Sequence, residues 1–153
     1  MVATKSYKPQ GFSDVTPYFV VELGMGAKLI KFLESAFGAQ ETAEYRSATP
    51  DGRLMHAQLR LGDANVELGE ADQPSKAARM SIHYYVKDID SVHARAVAAG
   101  GKALMEPTDQ FYGERSSGIL DPCGNSWWLA TQIEELSKAE IDERAEKMAA
   151  GSR

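Results

Sequence analysis

Apolar residues recur along this chain with two periods, every second position in short runs and every third or fourth position between them. Val15–Glu22 (VTPYFVVE) is β-branched and aromatic and predicts a strand. Gly24 and Gly26 break it, and Leu29, Phe32, Leu33, Ala36 and Phe37 then fall at helical spacing, with Gly38 as the stop. A strand near Glu41–Arg46, a turn at Thr49-Pro50-Asp51-Gly52 and an alternating strand Leu54–Leu61 follow. Gly62-Asp63 turns the chain into a short strand, Asn65–Leu68. After a polar stretch containing Pro74 the same order begins again. Ser81–Lys87 predicts a strand, and Asp88 or Asp90 caps a helix whose Ile89, Val92, Ala96 and Val97 share a face up to Gly100-Gly101. A short strand Lys102–Met105 is expected to stop at Pro107. Phe111–Leu120 reads as a loop leading into a strand, Asp121-Pro122-Cys123-Gly124 as a turn, and Ser126–Thr131 as the last strand. Both halves run strand, helix, strand, strand, strand. Ile133–Ala150 is a further helix with a capping-box pattern, Ser137-x-x-Glu140, and a narrow stripe of Ile141, Ala145 and Met148. That helix packs on its own sheet or crosses a dimer contact.

The expected division is an N-terminal arm (1–14), a first module (15–70), a linker (71–80), a second module (81–132) and a C-terminal helix and tail (133–153). With 153 residues and 43% hydrophobic composition the chain can bury a core without staples, and wholesale disorder is excluded. Acids outnumber bases, 22 to 17, without a Lys/Arg cluster, which argues against nucleic acid or an anionic membrane as partner. No apolar run approaches a membrane span of roughly 18 residues, and the start MVATKSYKPQ has no signal-peptide core. Cys123 is the single cysteine, so no internal disulfide forms, and a cytoplasmic location is expected.

VTPYFVVE, AFGAQE, DGRLMHAQLRLGD, SIHYYVKDIDSVHARAVAAGG and DQFYGERSSGILDPCGNSWWLAT, in that order and spacing, resemble the glyoxalase/bleomycin-resistance group, the vicinal oxygen chelate superfamily, and within it the PhnB-like branch. The resemblance runs from about Val15 to Leu136. It implies an α+β fold of paired βαβββ modules forming a half-barrel with helices outside, a ligand cavity within, and a homodimer. It also implies a divalent metal in the enzymes of the group, held by positions that fall here at Pro17, Glu67, His83 and Trp128.

Strand alternation sorts the faces. Met55, Ala57, Leu59 and Leu61 are expected toward the helices, leaving Leu54, His56, Gln58 and Arg60 inward. Val66 and Leu68 go outward, Asn65 and Glu67 inward. Ile82, Tyr84 and Val86 form the outer row of their strand, with His83 and Tyr85 inward, and Trp127 and Trp128 point to opposite faces. The expected cavity wall is Phe19, Val21, His56, Gln58, Glu67, His83, Tyr85 and Trp128, with Tyr112 and Arg115 at its mouth.

Proline and tryptophan cannot ligate, so two of the four metal positions are lost, and a catalytic centre generally needs three protein ligands. The expectation is therefore no metal and no cofactor. A divalent metal at Glu67 and His83 with a third ligand such as His56 is the alternative. His93 is expected at the surface or in helix–sheet packing, Cys123 is not expected as a nucleophile, and Gly24-x-Gly26 lacks the rest of a dinucleotide fingerprint. The function expected first is metal-independent binding of a small aromatic or planar anionic ligand, stacked on Trp128 and met by Arg115. A metal-dependent lyase, isomerase or dioxygenase-like enzyme using His83 and Glu67 is the second reading, and a dimer without retained ligand function the third.

Overall fold

The computed structural model describes residues 6–151, so residues 1–5 of the expected arm and 152–153 of the tail lie outside the described residues. The chain divides into two compact units between Arg79 and Met80. In the first, β1 (Tyr18–Val21) leads to α1 (Gly26–Phe37), then β2 (Gln40–Glu41), β3 (Ser47–Ala48), β4 (Leu54–Leu61) and β5 (Ala64–Glu70). The sheet runs β1-β5-β4-β2, with β3 also on β4. β1 lies parallel to β5, and the other pairs are antiparallel. Neither this sheet nor that of the second unit closes into a barrel.

α1 places Leu29, Ile30, Phe32, Leu33, Ala36 and Phe37 in the core. The sheet meets them with Phe19, Val21, Ala57, Leu59, Leu61, Val66 and Leu68, all buried. Each large side chain buried this way stabilises the unit by about 1.5–3 kcal/mol relative to exposure. The first turn of α1 has no side-chain cap of its own at Met25. A strand supplies one: Glu70 at the end of β5 accepts from the Gly26 N–H at 2.8 Å and from the Leu54 N–H at 3.1 Å. The helix ends at Gly38 in the left-handed conformation (φ 70°), as its sequence predicts.

Two expectations change here. Glu41–Arg46 is a two-residue strand followed by a 3-10 turn, Ala43–Tyr45. Its two apolar residues, Ala43 and Tyr45, are both exposed, so no buried row holds it against the sheet. In β4 the alternation slips at its start, with Leu54 buried and Met55 49% exposed. The cause is a register shift between Ser47 and Ala48, which pair with His56 and Leu54 respectively. Ahead of β1, the Gly11 carbonyl accepts from Asn65 Nδ2 at 3.0 Å and from Arg60 at 3.2 Å, tying the chain to β4 and β5.

The second unit repeats the order with β6 (Ser81–Tyr85), α2 (Ile89–Ala98), β7 (Lys102–Asp109), β8 (Glu114–Leu120) and β9 (Ser126–Gln132), followed by α3 (Lys138–Gly151). Its sheet runs β6-β9-β8-β7, again with first and last strands parallel. Of the two candidate caps of α2, Asp88 acts, accepting from the Ser91 N–H at 3.1 Å. Ile89, Val92, His93 and Ala96 are its buried residues, whereas Val97 is 44% exposed. His93 thus packs inside, its Nε2 lying 3.2 Å from Glu106 Oε2. Pro107 does not stop β7. It sits on an edge strand, which needs no N–H there, and the register shifts between Met105 and Thr108 absorb it.

The turn between β8 and β9 is built around Asp121, 3% exposed. Its carboxylate accepts from the backbone of Cys123 (2.8 Å) and Asn125 (3.0 Å), from Asn125 Nδ2 (2.9 Å) and from Trp127 Nε1 (3.0 Å). Four donors on one buried carboxylate fix where β9 begins. The expected C-terminal helix starts later than its pattern suggested, because residues 133–137 are not helical. Ile133 and Glu134 instead donate to the Gly113 carbonyl. The capping box forms: Glu140 accepts from the Ser137 N–H at 2.8 Å and its hydroxyl at 2.6 Å. Ile141 and Ala145 are half-buried, Met148 is 57% exposed, and Arg144 reaches Glu134 at 2.7 Å.

Candidate functional site

In the second unit α2 covers one sheet face, where Trp127, Leu129, Ser117 and Ile119 are completely buried. The other face follows from the register: His83 pairs with Trp128, which pairs with Gly118, and Tyr85 pairs with Ala130, which pairs with Ser116. A hollow of about 250 Å³ lies there, lined by His83, Met105, Gln110, Tyr112, Ser116, Trp128 and Leu129.

Gly118 holds the main aromatic surface in place. A Cβ on it would stand 2.7 Å from Trp128 Cζ3 and 3.1 Å from Cε3, so the six-membered ring rests against backbone that only glycine leaves open. Trp128 is 38% exposed while its neighbour Trp127 is fully buried, so the two consecutive tryptophans divide between site and core. Tyr112 also opens to the hollow, its hydroxyl 3.5 Å from Ser116 Oγ.

Beside the hollow His83, Tyr85 and Glu114 form a polar group. Tyr85 donates to Glu114 Oε1 at 2.6 Å, His83 Nε2 is 4.0 Å from Glu114 Oε2, and the His83 and Tyr85 rings meet edge-on at 4.7 Å. The hydrogen bond to the carboxylate pushes the Tyr85 phenol above its ordinary range.

The first unit carries a comparable set. Tyr18 pairs with Glu67, and Gln58 pairs with Glu67 from the other side. His56 Nε2 lies 3.9 Å from Glu67 Oε1, and the Tyr18 and His56 rings are 5.9 Å apart. Gln58 is buried and reaches Asn65 Oδ1 at 3.4 Å. Tyr18 donates to the Met55 carbonyl at 3.2 Å. Burial, and then the Glu67 charge, raise its phenol pKa.

Several expected placements change. Phe19 pairs with Leu68 and is completely buried in the helix-covered core, and Val21 is buried on the same side. Tyr18, not Phe19, is the aromatic residue on the open face. Both alternating rows of β1 are apolar, so its pattern could not choose between them. Arg115 is not at the mouth of the hollow. It lies one position out of phase with Glu114 and Ser116 and forms a two-point pair with Asp90 at 2.8 and 3.0 Å, plus a bond to Asp109 at 2.7 Å. Those carboxylates hold its guanidinium even further above its ordinary range. His56, Gln58 and Glu67 come together in the first unit, and His83, Tyr85, Tyr112 and Trp128 in the second.

Glu114, Ser116, Gly118 and Met105 join the site beyond those the sequence predicts: Phe111–Leu120 reads as a loop leading into a strand with no start that would assign its faces, and Lys102–Met105 carries no face assignment. With β8 recognised as a strand, alternation alone aligns Glu114, Ser116 and Gly118 on one face.

The donor set bears on a metal. The register aligns the first strand's Tyr18 with Glu67, and His83 with Trp128. Pro17 offers only its backbone carbonyl, which already accepts from the Glu67 N–H at 2.9 Å, and an indole has no acceptor. Among the described residues no group of three His, Cys, Asp or Glu side chains is placed to hold an ion.

Two units that each open strand–helix, continue in strands and lay the first strand parallel to the last define the class of protein this is. The chain belongs to the Glyoxalase/Bleomycin resistance protein/Dioxygenase superfamily, whose family model matches residues 18–129. An uncharacterized protein of Mycobacterium bovis is 32% identical over 138 residues, covering 83% of this chain and 88% of the relative. TioX from Micromonospora sp. ML1 has the same fold at a TM-score of 0.63 and 19% identity, over 78% of this chain and 99% of that one. A PhnB protein from Bacillus cereus is similar at a TM-score of 0.64 and 17% identity, over 78% and 99%. Among the described residues no helix is long and apolar enough to cross a membrane.

Proposed function

We propose that this chain is a small-molecule binding protein of the superfamily, of its PhnB-like branch, whose ligand lies in the hollow on the second sheet without help from a metal. The observation that carries this reading is Trp128, left 38% exposed against Gly118 while the adjacent Trp127 is fully buried. An exposed indole beside Tyr112 and Met105, with His83, Ser116 and Gln110 to orient a ligand, has the composition of a small-molecule site. Metal independence is supported by the donors: Trp128 stands where a ligating side chain is needed, and among the described residues Glu67 and His56 belong to no group of three His, Cys, Asp or Glu side chains.

The test is a fluorescence screen of planar aromatic compounds against chelator-treated protein and its Trp128→Leu variant. Saturable quenching in the wild type that Trp128→Leu abolishes supports the reading. Binding that appears only after zinc, nickel or manganese is restored, or sub-micromolar uptake of any of these metals, contradicts it. The chain is further proposed to be a homodimer, since both sheets end in edge strands that native proteins pair or cover. Sedimentation as a single 16.7 kDa species at micromolar concentration contradicts that.

A further inference from the structure

Taking the hollow on the second sheet as the ligand site, we propose that it selects planar aromatic ligands bearing a positive charge, such as an amidinium or ammonium group, over anions of the same shape. None of the residues lining the hollow is a lysine or arginine. The guanidinium nearest in sequence, Arg115, belongs to the opposite sheet face and is occupied by Asp90 and Asp109.

The charge beside the hollow is a carboxylate. Glu114 precedes Ser116 on the same row of β8, its side chain only 18% exposed. One of its oxygens holds the Tyr85 hydroxyl at 2.6 Å, and the other stands 4.0 Å from His83 Nε2, beyond a hydrogen bond. A carboxylate has about four acceptor positions, so Glu114 keeps capacity on the side of His83, which itself lines the hollow. The aromatic lining favours the same sign: an exposed face of Trp128 or Tyr112 is the negative end of its quadrupole and attracts a cation. An anion would lose its water against an aromatic lining beside a carboxylate, with no lysine or arginine among the lining residues to replace it. The chain's formal charge of −5 adds a weak bias of the same sign to the encounter.

The experiment is a fluorescence titration of the full chain with benzamidinium, uncharged benzamide and benzoate, three probes of nearly one shape, at a mildly alkaline pH where an ordinary histidine is neutral. Benzamidinium is expected to bind about tenfold or more tighter than benzoate, with benzamide between them. Added salt should narrow that ratio, and Glu114→Gln should bring it to within about twofold. Because the ratio is measured within one protein, the wild-type salt series decides the matter even if Glu114→Gln folds poorly. Benzamide binding with benzoate equal to or tighter than benzamidinium overturns the proposed selectivity while leaving the site intact. Failure of all three probes to bind overturns the hollow as a ligand site, and the selectivity with it.

Discussion

Tyr18, His56 and Glu67 share the open sheet face of the first unit, and Tyr85, His83 and Glu114 that of the second. The residue types are the same, but the connections differ. In the first, the tyrosine donates to a backbone carbonyl, Met55, and the histidine and glutamate stand 3.9 Å apart beside a buried Gln58. In the second, the tyrosine donates to the glutamate itself, and the face beyond opens into a hollow walled by Trp128 and Tyr112. Glycine marks the same division. A Cβ at Gly69 would meet the Met55 carbonyl oxygen at 2.6 Å, whereas one at Gly118 would meet the Trp128 ring at 2.7 Å. One glycine serves backbone packing and the other seats a side chain at a cleft. The same three residue types thus sit on different strands of the two units, and the second unit carries an aromatic hollow beside them.

The largest effect that sharpens this contrast is expected at the turns joining each unit's last two strands. Asp121→Ala strands four donors around a buried carboxylate position and should cost about 3–4 kcal/mol in urea unfolding. The matching turn of the first unit is the tight Gly62-Asp63 pair with an exposed aspartate, so Asp63→Ala should stay within about 0.5 kcal/mol. Equal losses would break the comparison.

Next come the glycines. Gly69→Ala pushes on backbone and should destabilise by about 1–3 kcal/mol with little effect on ligand binding. Gly118→Ala pushes on a partly exposed indole that can swing, so its main effect should be a fall of about tenfold or more in affinity for an aromatic probe. Calorimetric melting and fluorescence titration of both variants separate the two outcomes.

Smaller effects are expected from pH. Tyr18 and Tyr85 both have raised phenol pKa values, the first chiefly by burial and the second chiefly by its bond to Glu114. The folded state therefore holds protons that the unfolded chain releases above about pH 10. Their contribution is complete below that pH and is lost as pH rises through the raised values. Tyr85→Phe should flatten the alkaline fall in the urea midpoint. Asp90 has the opposite sign: Arg115 holds its carboxyl below the usual range. Its contribution is present above about pH 4 and lost as pH falls through the lowered value. Arg115→Gln should flatten that acid-side slope and leave probe binding unchanged, since Arg115 is off the site.

Element order was legible because each element has one apolar row. The bounds of Leu54–Leu61 and the capping box at Ser137 follow from spacing, whereas spacing leaves Asp88 and Asp90 both open and the structure selects Asp88. Legibility failed where that row was missing or doubled. Glu41–Arg46 buries no such row, since Ala43 and Tyr45 are exposed, and β1 has two, so its pattern points Phe19 the wrong way. Pro107 argued for a strand end that an edge position makes unnecessary. Trp128, His83 and Tyr85 are legible as an aromatic, polar group because β6 and β9 alternate. Glu114 was hidden within a segment taken for a loop, and Arg115 beside it was given the charged role instead. Asp90 on α2, 25 residues away, and Asp109 across the β7–β8 turn decide where that arginine points.

The most direct measurement uses the two tryptophans the chain contains. Trp127→Phe leaves Trp128 as reporter, and Trp128→Phe leaves Trp127, which sits in the core. Titrated with benzamidinium, the Trp127→Phe protein should show saturable quenching at the wild-type affinity, and the Trp128→Phe protein should show little change and weaker binding by calorimetry. Saturable quenching of Trp127 at unchanged affinity in the Trp128→Phe protein would contradict a ligand site built on Trp128.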